Sequence, residues 1–130
     1  IWVSSLNECN YCVERHFAGM KRLLGDAPRA DAIRVAIKTR DPDAAPLDAA
    51  QKLAMDYARI LTCDPAGLTE NHAIVLHNSG YTDGKIFEIN QVSAYFSYAN
   101  RTVLGLGCST KGDILGLSPT NSNDPDNWSH

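Results

Sequence analysis

From Asn7 onward the apolar positions recur at threes and fours, the period of an amphipathic helix. With Cys9 as the zero of a 100° wheel, Cys12, Val13, His16, Phe17, Met20, Leu23 and Leu24 share one face. Glu14, Arg15, Lys21 and Arg22 occupy the other. Asn7 reads as the cap that starts this helix and Gly25 as its stop. A second helix is predicted over 28–38, with Ile33, Val35 and Ile37 among its apolar residues. Asp41-Pro42-Asp43 and Pro46 mark a loop. Leu47, Ala50, Leu53, Ala54, Tyr57, Ala58 and Leu61 predict a helix over 47–61, closed by Asp64-Pro65. Thr69 opens a short helix through His77, and Thr82 or Asp83 opens the longest, through about Leu106. Period-two patterns are nearly absent, so the domain reads as all-α.

The last helix is apolar almost all round. Ile86, Phe87, Ile89, Val92, Tyr95, Phe96, Tyr98, Val103 and Leu104 cannot all face one neighbour, so it is either the centre of a bundle or an oligomer interface. After Cys108 the chain turns Ser-, Asn-, Asp- and Pro-rich, and an extended tail over 108–130 is expected, strapped across a neighbouring subunit, with Ile114, Leu115, Leu117 and Trp128 as anchors. Residues 1–107 form the helical domain. Ile1 to Leu6 reads as the end of a helix already in progress, as in the C-terminal part of a longer protein.

Composition narrows the function classes. The 130 residues are 44% apolar and 21% charged, which suits one globular domain with its own core. A net charge of −3 gives no basic surface for nucleic acid. No apolar run approaches the ~18 residues of a membrane span, and the first residues do not read as a signal peptide. Four cysteines, two of them close together, do not resemble a secreted disulfide framework. A reducing, cytoplasmic setting in which the close pair can cycle is expected.

That pair carries the chemistry. Cys9 and Cys12 stand three apart and His16 follows four later, all on one helix face at the start of the helix, where its dipole favours a thiolate. A dithiol with a proton carrier one turn away suits thiol redox chemistry, which needs a thiolate, a proton donor and a resolving thiol, and no bound cofactor. Two other readings stand beside it. The three residues could bind zinc, with Cys63, His72 or His77 as a fourth ligand; or they are core cysteines beside a packed histidine. A c-type haem needs histidine directly after the second cysteine, and that residue is Val13. Cys63 and Cys108 read as lone apolar cysteines. His72 and His77, five apart, lie on different faces, with surface or capping roles. Asn100-Arg101 reads as holding an interface or a helix end by hydrogen bonds, and Tyr95, Phe96 and Tyr98 as packing, with a peroxide pocket as the alternative.

The run Cys9-Asn-Tyr-Cys12-Val-Glu-Arg-His16 resembles the signature of the alkylhydroperoxidase D (AhpD)-like, carboxymuconolactone decarboxylase superfamily. Ser79 to Asp83 and Ile89 to Phe96, ending in Asn100-Arg101, resemble its peroxidase-related branch, and the similarity covers about 1–107. The resemblance implies an AhpD-like helical bundle, assembled as a trimer or as a multiple of a trimer or dimer. It implies that Cys12 attacks hydrogen peroxide or an organic hydroperoxide, Cys9 closes the disulfide and His16 relays protons. A dithiol supplies the electrons, and in the family a lipoylated protein can fill that role. The family's relay glutamate stands about three helical turns before the first cysteine, a position that falls before Ile1, and Glu8 is out of register to replace it. The family's preceding helices are missing as well, which implies impaired activity and an apolar face left for partner subunits to cover. Tyr11 stands where alkylhydroperoxidase D has a histidine. The runner-up is a helical oligomer whose cysteine pair binds zinc or senses redox state without turnover.

Overall fold

The computed structural model describes residues 1–112 and Leu115. Six α-helices account for most of them: α1 (Trp2–Leu6), α2 (Asn10–Leu24), α3 (Ala27–Thr39), α4 (Ala49–Cys63), α5 (Glu70–Asn78) and α6 (Asp83–Gly105). Single 3-10 turns at Pro42–Ala44 and Pro65–Gly67 flank α4. The described residues contain no strand, and none of their helices is long and apolar enough to cross a membrane. The described residues form an all-α bundle. Most of the tail expected over 108–130, including Ile114, Leu117 and Trp128, lies outside the described residues.

The shortest helix is the hub. α1 touches α2, α3, α4 and α6, and Trp2, Val3 and Ser4 on it are buried. Trp2 and Val3 pack with Ile33, Ile37 and Ala58, and Met20, Leu24, Met55 and Phe96 close around that cluster. The Trp2 indole Nε1 donates to the Met55 carbonyl at 2.8 Å, so its one polar group is satisfied inside the core.

Side-chain caps set several of the helix starts. Asp26 accepts from the Arg29 amide at 3.0 Å, placing Pro28 in the first turn of α3. The fourth helix begins at Ala49 rather than Leu47, because Asp48 and Gln51 cap each other's backbone amides. Gly25 ends α2 in the left-handed region at φ 63°.

Two expectations change. Asn7 does not cap α2; it is the residue after α1, and the chain turns there before the second helix begins. Glu8 takes a left-handed φ of 57°, the Cys9 amide donates back to the Ser4 carbonyl at 2.9 Å, and Cys9 becomes the cap position. Nor is α6 enclosed. Its buried residues are the polar Ser93 and Asn100, whereas Phe87, Val92, Tyr95, Tyr98 and Leu104 are each at least half exposed. Ser93 and Asn100 are its fully enclosed residues and Phe96 reaches the core cluster, while a second apolar face is left outward.

Candidate functional site

The turn at Asn7–Glu8 delivers the two cysteines to the first turn of α2, and both arrive buried. Cys9 is fully enclosed and Cys12 nearly so, and both are free thiols. A helix start by itself favours thiolate, but burial acts in the opposite direction and is the larger effect here. Burial, followed by hydrogen bonding with Cys9, pushes the Cys12 thiol up to about 11, with the Asn100 amide pulling it part of the way back. Burial thus works against the thiolate that the helix start alone would favour. In the reduced protein Cys12 is a neutral thiol beside a second sulfur.

That shift has a consequence for stability. An unfolded cysteine ionises near 9.0 and the folded Cys12 near 11, so between those values the folded state binds more protons. The contribution is fully present below pH 9 and is lost as pH rises through 11. The thermal midpoint is expected to fall over that window in the wild type, and to fall less in Cys12→Ala, in scanning calorimetry of the reduced proteins.

His16, one turn beyond Cys12, is exposed overall, with its ring edge-on to Phe96 at 4.8 Å between centroids. Desolvation lowers its pKa, and the Arg15 guanidinium acts the same way, so the imidazole is neutral at neutral pH. A neutral imidazole can accept a proton. Tyr11 is engaged elsewhere: Arg15 lies over its ring and donates to its hydroxyl at 3.1 Å. The carboxylates adjacent in sequence are also committed, Glu8 to Arg40 at 2.8 Å and Glu14 to Arg34, whose guanidinium covers the Phe17 ring. Neither is a relay partner for His16.

Asn100, read from the sequence with Arg101 as holding an interface or a helix end, stands instead beside the dithiol. It is fully buried on the inward face of α6, hydrogen-bonded to Ser4 and Asn7, and it acts on the Cys12 thiol. The available signal was an amide close to the aromatic run Tyr95–Tyr98, since an amide that such a helix buries must be satisfied. Its partners lie at the far end of the sequence, so their identity was not readable.

The remaining candidates fall away from the thiols. Cys63 and Cys108 are exposed. His72 accepts from the Thr69 amide at 3.0 Å, a capping role for α5, and His77 is exposed near Asp83. Among the described residues no three His, Cys, Asp or Glu side chains converge where a metal ion could sit. Of the three aromatics, Phe96 meets His16 and lines an apolar groove of about 390 Å³ with Trp2, Ile89 and Val92, while Tyr95 and Tyr98 face outward. A groove of about 600 Å³ between α1, α2 and α3 is lined by Glu8, Glu14, Arg34 and Arg40, and by neither thiol.

Fold and site together define an all-helical protein with a buried dithiol where a helix begins. The same fold occurs in an uncharacterized peroxidase-related protein from Silicibacter sp. TM1040, whose solved structure matches with a TM-score of 0.74 at 30% sequence identity. The match covers 83% of this chain and 54% of that one, so the chain spans about half the length of that protein. No protein-family model matches the chain, and no curated protein does.

Proposed function

We propose that this chain is a peroxidase-like thiol oxidoreductase that reduces hydrogen peroxide or organic hydroperoxides through Cys9 and Cys12. The observation that carries the reading is the pair of free, buried thiols three residues apart where α2 begins. The structural similarity to a peroxidase-related protein supports it.

The chemistry balances with these residues and an external dithiol. Cys12 sulfur attacks the distal peroxide oxygen, the O–O bond breaks, and ROOH leaves as ROH with Cys12 as a sulfenic acid. Its thiol proton passes to the departing oxygen, and His16 is the carrier one turn away. Cys9 then attacks the Cys12 sulfur, expelling water and closing a disulfide. The external dithiol reduces that disulfide, becoming oxidised itself; a lipoylated protein is one donor of this class.

With Cys12 near 11, only about one thiol in 10⁴ is ionised at pH 7, so proton removal is the step in which the site must help. Hydroperoxide consumption driven by a small dithiol tests the reading. The double variant Cys63→Ser/Cys108→Ser is expected to keep full turnover, because neither side chain is at the site. Loss of turnover there would place the chemistry on the exposed thiols. One observation favours a second reading, redox sensing without turnover: both sulfurs are buried, which suits a single slow oxidation. Its mark is one equivalent of peroxide consumed and no more.

We also propose that the chain works as a homo-oligomer through the outward face of α6. Phe87, Tyr95 and Tyr98 there are each more than 60% exposed. Asp83, Lys85, Glu88 and Arg101 sum to zero charge, so two copies meet without net repulsion. Sedimentation velocity is expected to show an oligomer that Tyr95→Glu/Tyr98→Glu dissociates; a monomeric wild type contradicts this.

A further inference from the structure

Asn100 is the group in this molecule whose burial demands a reason. An amide taken out of water costs free energy unless its donors and acceptor are matched, and here they are matched by residues that control the dithiol. Its Oδ1 accepts from Asn7 Nδ2 at 3.1 Å, and its Nδ2 donates to the buried Ser4 Oγ at 3.1 Å. Ser4 in turn accepts the Cys9 amide on its carbonyl at 2.9 Å. Asn7 is the residue immediately before the left-handed turn at Glu8. Two short steps therefore lead from α6 to the backbone of the first cysteine, and one leads to the turn that aims it.

We propose that Asn100 is a positioning residue for the dithiol, pinning the α1–α2 junction, and with it the Cys9 backbone, to α6. The inference rests on the dithiol reading above and goes beyond it by assigning a role to a helix remote in sequence. No proline stiffens the Asn7–Cys9 turn, and Glu8 holds a left-handed backbone conformation that non-glycine residues adopt at a cost. The hydrogen bonds from Asn100 supply that restraint. The same amide is the side chain that favours the ionised Cys12 against burial and against Cys9. One residue thus sets both where the sulfurs stand and how readily one of them ionises.

The test is the pH profile of Cys12 alkylation by iodoacetamide, mapped by mass spectrometry in the folded Cys63→Ser/Cys108→Ser chain. Asn100→Leu removes the donor at similar volume. Its profile is expected to move up by about one pH unit, equivalent to alkylation about tenfold slower at a fixed pH below the midpoint. Its Cys9–Cys12 disulfide is also expected to be less stable against dithiothreitol than in the parent chain. Should Asn100→Leu fail to fold, Asn100→Asp carries the test, since it keeps the shape, loses the donor and is expected to move the profile the same way. A folded variant with lower thermal stability but the parent's profile and disulfide equilibrium would overturn the proposal and leave the dithiol reading standing. A parent chain that forms no Cys9–Cys12 disulfide at all would overturn both.

Discussion

Cys12→Ser is expected to abolish hydroperoxide-driven turnover, and Cys9→Ser to stop it at a sulfenic acid that a dimedone-type reagent traps on Cys12. The asymmetry follows from the division of labour between the two sulfurs. Serine at residue 12 leaves no nucleophile that peroxide oxygen can oxidise, because a hydroxyl lacks both the thiolate's reactivity and its accessible higher oxidation states. Serine at residue 9 leaves the first step intact and removes the group that resolves it. Serine nearly matches cysteine in size, so each substitution leaves the packing around these buried positions largely in place. The loss is expected to reach the assay's background for Cys12→Ser. For Cys9→Ser, one equivalent of peroxide is consumed and then turnover ceases. Full turnover in both single variants would remove the mechanism.

Trp2→Ala is expected to cost about 3–5 kcal/mol, the range for truncating a large buried aromatic. A domain of this size has about 5–15 kcal/mol in total, so the variant loses a large share of its stability. The effect is large because α1 has only five residues and still contacts four other helices. Trp2 holds that hub by packing in the central cluster and by its hydrogen bond to Met55. Because Ser4 and Asn7 ride on the same segment, the site loosens together with the core. Trp2→Phe keeps most of the apolar contact and loses the hydrogen bond, at about 1 kcal/mol. Equilibrium denaturation measures both; a loss under about 1 kcal/mol for Trp2→Ala would show that the hub is not where the core's stability resides.

The helices were legible because their apolar spacing is regular, and the boundaries were less so for specific reasons. At the start of α2 no glycine announces the break. Glu8 takes the left-handed conformation without the residue type that usually signals it, and Asn7, a good cap by composition, serves another helix. At α4 the Asp48–Gln51 cap was present in the sequence, yet the apolar period beginning at Leu47 drew the start too early. For α6, composition showed an excess of apolar residues without showing which face was inward. The answer, Ser93 and Asn100, depends on packing against α1.

The site divides the same way. Cys9, Cys12 and His16 lie within one local motif, so their proximity follows from the chain itself. Asn100 joins them only through tertiary structure. The ionisation of Cys12 was also beyond the sequence, since the helix start is a local property and burial is not. Position argued for a thiolate, and the enclosed environment argues more strongly for a thiol.

Mass spectrometry with peptide mapping, after one equivalent of hydroperoxide is added to the fully reduced protein, tests the central claim most directly. The account predicts the loss of two hydrogens, a disulfide confined to Cys9 and Cys12, and full reversal by a dithiol. The competing thiols make the result decisive, because Cys63 and Cys108 are exposed and more accessible than either member of the pair. Oxidation on Cys63 or Cys108, with Cys9 and Cys12 still reduced, would contradict the account.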